Sequence, residues 1–210
     1  VLDDLERATR AGLLRPRGAA LAFGHELVRE AIAAATSPPR RRAIHQSAVA
    51  ELAARIETDP LALARHARLG GDPSLAARAL NEAAARATER FEAATAEQLL
   101  DEAIQLSDTA TARLARGRLR LARLDLDNAR EDAARALELG AGVQGFELAG
   151  WVAYYGRDYE TALRYADEGV ERATEADLRA SCLALAGRIR HTRGELAEAS
   201  RRLQEGDTLL

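Results

Sequence analysis

The chain opens on a short amphipathic pattern. Leu2, Leu5 and Ala8 recur at helical spacing over Val1 to Ala11, and Gly12 is placed to end the helix. Two brief apolar runs follow, Leu13-Leu14-Arg15 and Ala19 to Phe23, on either side of Pro16-Arg17-Gly18, which predicts a small β-hairpin. From His25 onward the pattern carries no further strand signal. A helix is predicted over His25 to Ala35, stopped by Thr36-Ser37-Pro38-Pro39 because a residue before proline avoids the α region. A longer one runs from Arg40 to about Ile56. Asp59-Pro60 and Gly70-Gly71-Asp72-Pro73 then restart the helical pattern with one device, an acidic N-cap before proline at the first helical position.

Beyond Ser74 three columns of small residues keep register. Ala96, Ala129, Ala162 and Ala199 recur at intervals of 33, 33 and 37. Seven positions after them stand Ala103, Ala136, Gly169 and Gly206, and twelve before them Ala84, Gly117, Gly150 and Gly187. A period near 34 built from a helix–turn–helix unit is the tetratricopeptide signature. Glycine inside a helix costs up to ~1 kcal/mol relative to alanine, so a glycine column needs a packing reason, here close approach of paired helices. Tyr154-Tyr155-Gly156-Arg157-Asp158-Tyr159 and Arg193-Gly194-Glu195-Leu196 read as the G-x-apolar turn between helices, whereas the second unit has Leu124-Asp125-Leu126 there. The large residue early in the first helix of each unit is Leu80, Arg113, Phe146 and Leu183, with Arg113 out of character.

The expected fold is therefore all-α: a tetratricopeptide-like α-solenoid of helical hairpins, with a short N-terminal winged-helix remnant containing a small β-hairpin. Residues 1–37 would be the C-terminal part of a winged-helix module, 38–73 adaptor helices, and 74–210 about four repeats.

Composition agrees with close-packed helices: 47% of the 210 residues are hydrophobic but only 4% aromatic, so alanine supplies much of the apolar total. All 30 basic residues are Arg, and the net charge of -3 lacks the basic excess of a nucleic-acid-binding domain. One cysteine, Cys182, excludes an internal disulfide and suits a reducing compartment. No run of 18 apolar residues and no leader pattern is present, so a cytoplasmic protein without a membrane partner is expected. A start at Val1 and no Met anywhere read as an excised fragment.

Leu21-Ala-Phe-Gly-His-Glu-Leu-Val-Arg-Glu-Ala31 resembles the F-x-H-x-L-V-R-E-A segment that ends the winged-helix region of large bacterial LuxR-type regulators, the signal-transducing ATPases. Arg41-Arg42-Ala43-Ile44-His45 resembles their R-R-x-L-H, and Leu63-Ala64-Arg65-His66-Ala67 before Gly70-Gly71-Asp72 their L-A-x-H-A…G-D. The resemblance implies a sensor region whose parent carries an ATPase before it and a DNA-reading helix-turn-helix after it, so the parent, not this fragment, would bind ATP and DNA.

Candidate chemistry is sparse. His25-Glu26-Leu27-Val28-Arg29 lacks the second histidine of a zinc helix, and a capping or hydrogen-bonding His25 is the better reading. His45, His66 and His191 stand apart in sequence, and a chain with no Lys carries no P-loop. Cys182 reads as a core residue, and the pairs Asp101-Glu102 and Glu131-Asp132 as solvated helix surface. Arg40-Arg41-Arg42 opens a helix, where the macrodipole favours acids; it is either solvated or an interface. No catalytic residue, metal site or cofactor is expected, and the chain is read as no enzyme.

By resemblance to tetratricopeptide domains, the fifth, ninth, twelfth and thirteenth positions of each first helix line a concave groove. These columns hold Arg118 and Leu121, then Glu147, Trp151, Tyr154 and Tyr155, then Arg188, His191 and Thr192. Aromatics flanked by Arg give large contact at low entropic cost; equally, Trp and Tyr fill space between Ala-rich helices. The reading that follows is a sensor and interaction solenoid that binds a peptide, protein or small inducer on its concave face. The competing reading is a self-association module, a homo-oligomer made by pairing of solenoid faces. Direct nucleic-acid binding by the N-terminal part is disfavoured by the acidic balance.

Overall fold

The computed structural model describes residues 2–18, 20–55 and 58–209. Val1, Ala19, Ile56 and Leu210, at which the sequence reading placed element or repeat bounds, lie outside the described residues. The chain begins with α1 (Leu2–Arg10), which Gly12 closes in the left-handed conformation (φ 71°) while the Leu13 amide donates to Ala8 O at 3.0 Å. Strands β1 (Leu14–Arg17) and β2 (Ala20–Phe23) pair antiparallel, with Leu14 opposite Phe23 and Pro16 opposite Leu21. Pro16 thus lies within β1 and not in the turn. A two-stranded sheet consists of edges, where a missing amide hydrogen costs no ladder bond.

Helix α2 (Glu26–Ala35) is capped by His25, whose Nδ1 accepts from the Leu27 amide at 3.3 Å. Helix α3 (Pro38–Ala53) starts two residues earlier than the sequence pattern suggests. Its prolines occupy the first turn, where no amide donor is needed, so they open this helix as well as closing the last. None of α1, α2 and α3 has a buried residue. Helices α4 (Pro60–Gly70) and α5 (Pro73–Glu89) start on the acidic caps predicted for them: Asp59 accepts from Leu61 N at 3.0 Å, Asp72 from Leu75 N at 2.9 Å.

From there the pattern is regular: α6 (Ala93–Leu106), α7 (Ala110–Ala122), α8 (Leu126–Glu138), α9 (Val143–Tyr155), α10 (Tyr159–Arg172), α11 (Ala176–Thr192) and α12 (Leu196–Asp207). Each helix packs on the one before, so α3 to α12 form stacked hairpins. Helix α4 packs between α3 and α5 and carries buried Gly70, 33 residues ahead of Ala103. The molecule is a tetratricopeptide-like α-solenoid preceded by a small two-stranded antiparallel sheet.

Every member of the three small-residue columns is buried. A Cβ on Gly117 would stand 2.7 Å from Leu148 Cδ2, one on Gly150 2.7 Å from Leu185 Cδ2, and one on Gly169 2.6 Å from Cys182 Sγ. The glycines therefore admit side chains of the next hairpin, which is the packing reason their column required.

The turns correct one reading. A left-handed residue recurs at Phe91 (φ 61°), Leu124 (φ 59°), Arg157 (φ 62°) and Gly194 (φ 82°), one per hairpin. Gly194 is glycine where the backbone demands it, but Gly156 has φ -74° and its neighbour Arg157 takes the strained position.

A second correction concerns Asp132. Far from solvated surface, it is fully buried on α8 and accepts from three arginines of α7. Arg113 reaches it at 3.0 Å, Arg116 at 2.6 Å and Arg120 at 2.7 Å. Asp101 likewise pairs with Arg116 at 2.5 Å. Arg113 also donates to Asp108 at 2.7 Å, and Arg120 to Glu97 at 2.9 Å. Arg113 in an apolar column is thus explained: where the other units pack Leu80, Phe146 or Leu183, the second packs an ion-pair network. Those arginine bonds hold the Glu97 and Asp108 carboxyls below their usual range, against an opposing push from partial burial.

A third concerns His45 and His66, which stand far apart in sequence. The α3–α4 contact brings their Nδ1 atoms to 3.1 Å. Burial first, then the neighbouring His66 and Arg65, lower the His45 pKa.

Candidate functional site

The first helices of successive hairpins, α7, α9 and α11, lie side by side and present the predicted groove residues. Trp151 of α9 is half-buried and central. Tyr154 meets its ring edge-on at 5.8 Å between centroids, Tyr155 lies 6.1 Å away at 32°, and Tyr154 also touches Tyr159 of α10 at 5.8 Å. The Arg188 guanidinium sits 5.5 Å over the indole from α11, a cation–π contact. On the other side a groove of about 490 Å³ runs between α7 and α9, lined by Arg118, Leu121, Ala122, Leu124, Trp151 and Tyr155.

Glu147 sits between the neighbouring helices. Its carboxylate lies 3.5 Å from Arg118 and accepts a short bond from the Ser181 hydroxyl. Cys182 next to it is fully buried, and burial, then Glu147, push its thiol up to about 11. That is the environment of an unreactive core thiol.

The geometry brings together Arg118, Leu121, Trp151 and Tyr155 on one groove, with Arg188 stacked on its tryptophan. Tyr154 leans the other way: its hydroxyl lies 3.4 Å from Thr192 Oγ1, and its ring packs on the α9–α11 core. Part of this aromatic cluster therefore does fill space. His191 is exposed on α11, and among the described residues no hydrogen bond, ion pair or ring contact joins it to the others. Sequence reasoning missed Ala122 and Leu124, the latter 62% exposed at the left-handed turn position. Its signal was the absence of glycine in that turn.

The fold defines a class, the tetratricopeptide-like solenoids, and the structural comparisons agree. MamA from Desulfovibrio magneticus RS-1, residues 41 to the end, superposes with a TM-score of 0.61 at 13% identity, over 80% of this chain and 94% of that one. A further crystal structure of MamA gives 0.58 at 15% identity, over 72% and 88%. BtubC (BKLC) from P. vanneervenii gives 0.55 at 13% identity, over 87% and 76%. No family model matches the sequence, and no curated protein matches it significantly. At such identities the likeness is one of fold. Among the described residues no helix is long and apolar enough to cross a membrane, and no group of three or more His, Cys, Asp or Glu could hold a metal ion.

Proposed function

We propose that the chain is a non-catalytic interaction scaffold that captures a peptide segment of a partner protein along its concave face. The observation that carries this reading is Trp151, half-buried in the wall of an apolar groove and flanked by arginines of the hairpins on both sides, Arg118 and Arg188. A preformed aromatic anchor between two positive charges, on rigid helices, is how a binding surface concentrates affinity. Peptides selected from a displayed library on the intact chain, followed through Trp151 fluorescence, test it. Trp151→Ala/Arg188→Ala is expected to weaken the selected peptides at least about tenfold, the loss of one hot-spot contact. Equal affinity in the double variant overturns the groove assignment.

The motifs from Leu21 to Ala31 and from Arg41 to Asp72 support a finer reading, the cytoplasmic sensor region of a LuxR-type ATP-dependent transcriptional regulator whose inducer or partner is read by the solenoid. The parent reading frame tests it directly. A Walker lysine upstream and a helix-turn-helix downstream are expected, and a frame lacking both overturns it.

A further inference from the structure

Two successive junctions of the solenoid fill the same space with different chemistry. Between α6, α7 and α8 it is taken by long charged side chains: Arg116 on Asp101 and Asp132, Arg120 on Asp132 and Glu97, Arg123 on Glu97. Thirty-three residues on, between α8, α9 and α10, the same register holds Ala134 for Asp101, Ala149 for Arg116 and Ala153 for Arg120. Gly156 stands for Arg123 and Tyr165 for Asp132. The junction after that is charged again, with Arg190 on Asp167 and Glu195 and Arg202 on Glu198.

The exchange of arginines and acids for alanines leaves a cavity of about 190 Å³ between α8, α9 and α10. Its walls include the buried alkyl groups of Ala133, Ala149, Val152 and Ala153, which offer a water molecule no hydrogen bond. Its mouth is charged. Arg130 of α8 and Asp158, the N-cap of α10, both line it and are exposed. Arg130 donates to Asp127 at 2.7 Å, but that pair is exposed on both sides and contributes little. Asp158 uses Oδ1 to accept from the Thr161 amide at 3.1 Å, which leaves its other oxygen free. The bonds from Thr161, then Arg164 and Arg130 close by, hold its carboxyl below the usual range, so the mouth carries one charge of each sign at neutral pH.

We propose that this cavity binds a small apolar α-amino acid, with the side chain between the alanines, the carboxylate on Arg130 and the ammonium on Asp158. The cavity is smaller than the ~300 Å³ at which sites for drug-sized ligands begin, so its ligand is a small one. An apolar side chain supplies the van der Waals contacts that the void lacks. Opposite charges on one carbon match the opposite charges at the mouth, whereas a singly charged ligand leaves Arg130 or Asp158 unmatched. The site shares no lining residue with the concave groove, so its ligand does not compete with a peptide bound there.

Isothermal titration calorimetry of the intact chain tests this with leucine, valine and phenylalanine, each beside the matching acid without its ammonium and the matching amine without its carboxylate. At least one amino acid is expected to bind, and its two singly charged analogues at least about tenfold more weakly. Arg130→Gln and Asp158→Asn, the second of which keeps a capping side chain, should each weaken it by a similar factor. Ala134→Leu puts a larger side chain into the cavity from an exposed position and should abolish binding without unfolding the chain. No binding by any of the three up to ~10 mM overturns the proposal. So do analogues that bind as tightly as the amino acid, or unchanged affinity in Ala134→Leu or in both charge variants.

Discussion

A carboxylate taken fully out of water is the most demanding single residue in this molecule, and Asp132 survives there because three guanidinium groups converge on it. Removing the acid leaves Arg113, Arg116 and Arg120 crowded together without their shared partner. Asp132→Ala is expected to lower unfolding free energy by about 3–5 kcal/mol, the cost of breaking a buried pair from one side. Chemical denaturation with an unchanged m-value checks it; a loss under ~1 kcal/mol would mean the network contributes little. The network was legible in part. Arg113, Arg116 and Arg120 share a face of α7, and two of them fall in columns that the other units fill with Leu, Phe or Ala. What hid it was Glu131 next door: an adjacent acid pair reads as surface, and only the α7–α8 packing shows that one member of the pair faces in. Trp151 was singled out for a different reason, as the one tryptophan of the chain in a column that the resemblance to tetratricopeptide domains assigns to the groove.

At the scale of the element, the turns show what pattern reading resolves and what it does not. The small-residue columns were readable because one cause, close backbone approach, acts at the same place in every hairpin. The left-handed turn position was not, because the second hairpin meets it with Leu124, the third with Arg157 and the first with Phe91. A glycine in the neighbourhood, Gly156, drew attention to the wrong residue. Each of these three side chains bears the steric cost of the left-handed region, and Phe91 is 96% exposed, so it recovers almost nothing by packing. Phe91→Gly is therefore expected to raise stability by about 0.5–1 kcal/mol, the conformational relief less glycine's extra unfolded-state entropy. Gly194→Leu should move it by a similar amount the other way. Melting temperatures of the two variants decide the point, and a destabilised Phe91→Gly would show that this ring has a partner in solution.

Across the whole molecule, junctions differ in their chemistry. Ala, Leu and Val hold α8 to α9, with buried Ala129, Ala133, Leu148 and Val152. Between α6 and α8 the ion-pair network adds to apolar contacts such as Leu119 on Leu100, and in α11 Arg190 again reaches Asp167 of α10 at 3.5 Å and Glu195 at 3.4 Å. A stack whose units touch only their neighbours responds to pH junction by junction. His45 has its folded pKa below the ordinary 6.5, so the fold favours its neutral form. Its contribution is complete above 6.5 and shrinks as protonation begins to favour the unfolded state below that value. Glu97 and Asp108, held below 4.5 and 3.8 by their arginines, stabilise fully above those values and lose that contribution as pH falls through their folded pKa values. On acidification the α3–α4 junction should thus loosen first, and the α6–α8 network only in the carboxylate range, while the apolar α8–α9 contact outlasts both. Hydrogen exchange followed by mass spectrometry from pH 7 downward, corrected for intrinsic rates, reads the order directly. Loss of protection in α9 before α7, or in α7 before α3, would show that the ion pairs and the histidine pair do not set the sequence of opening.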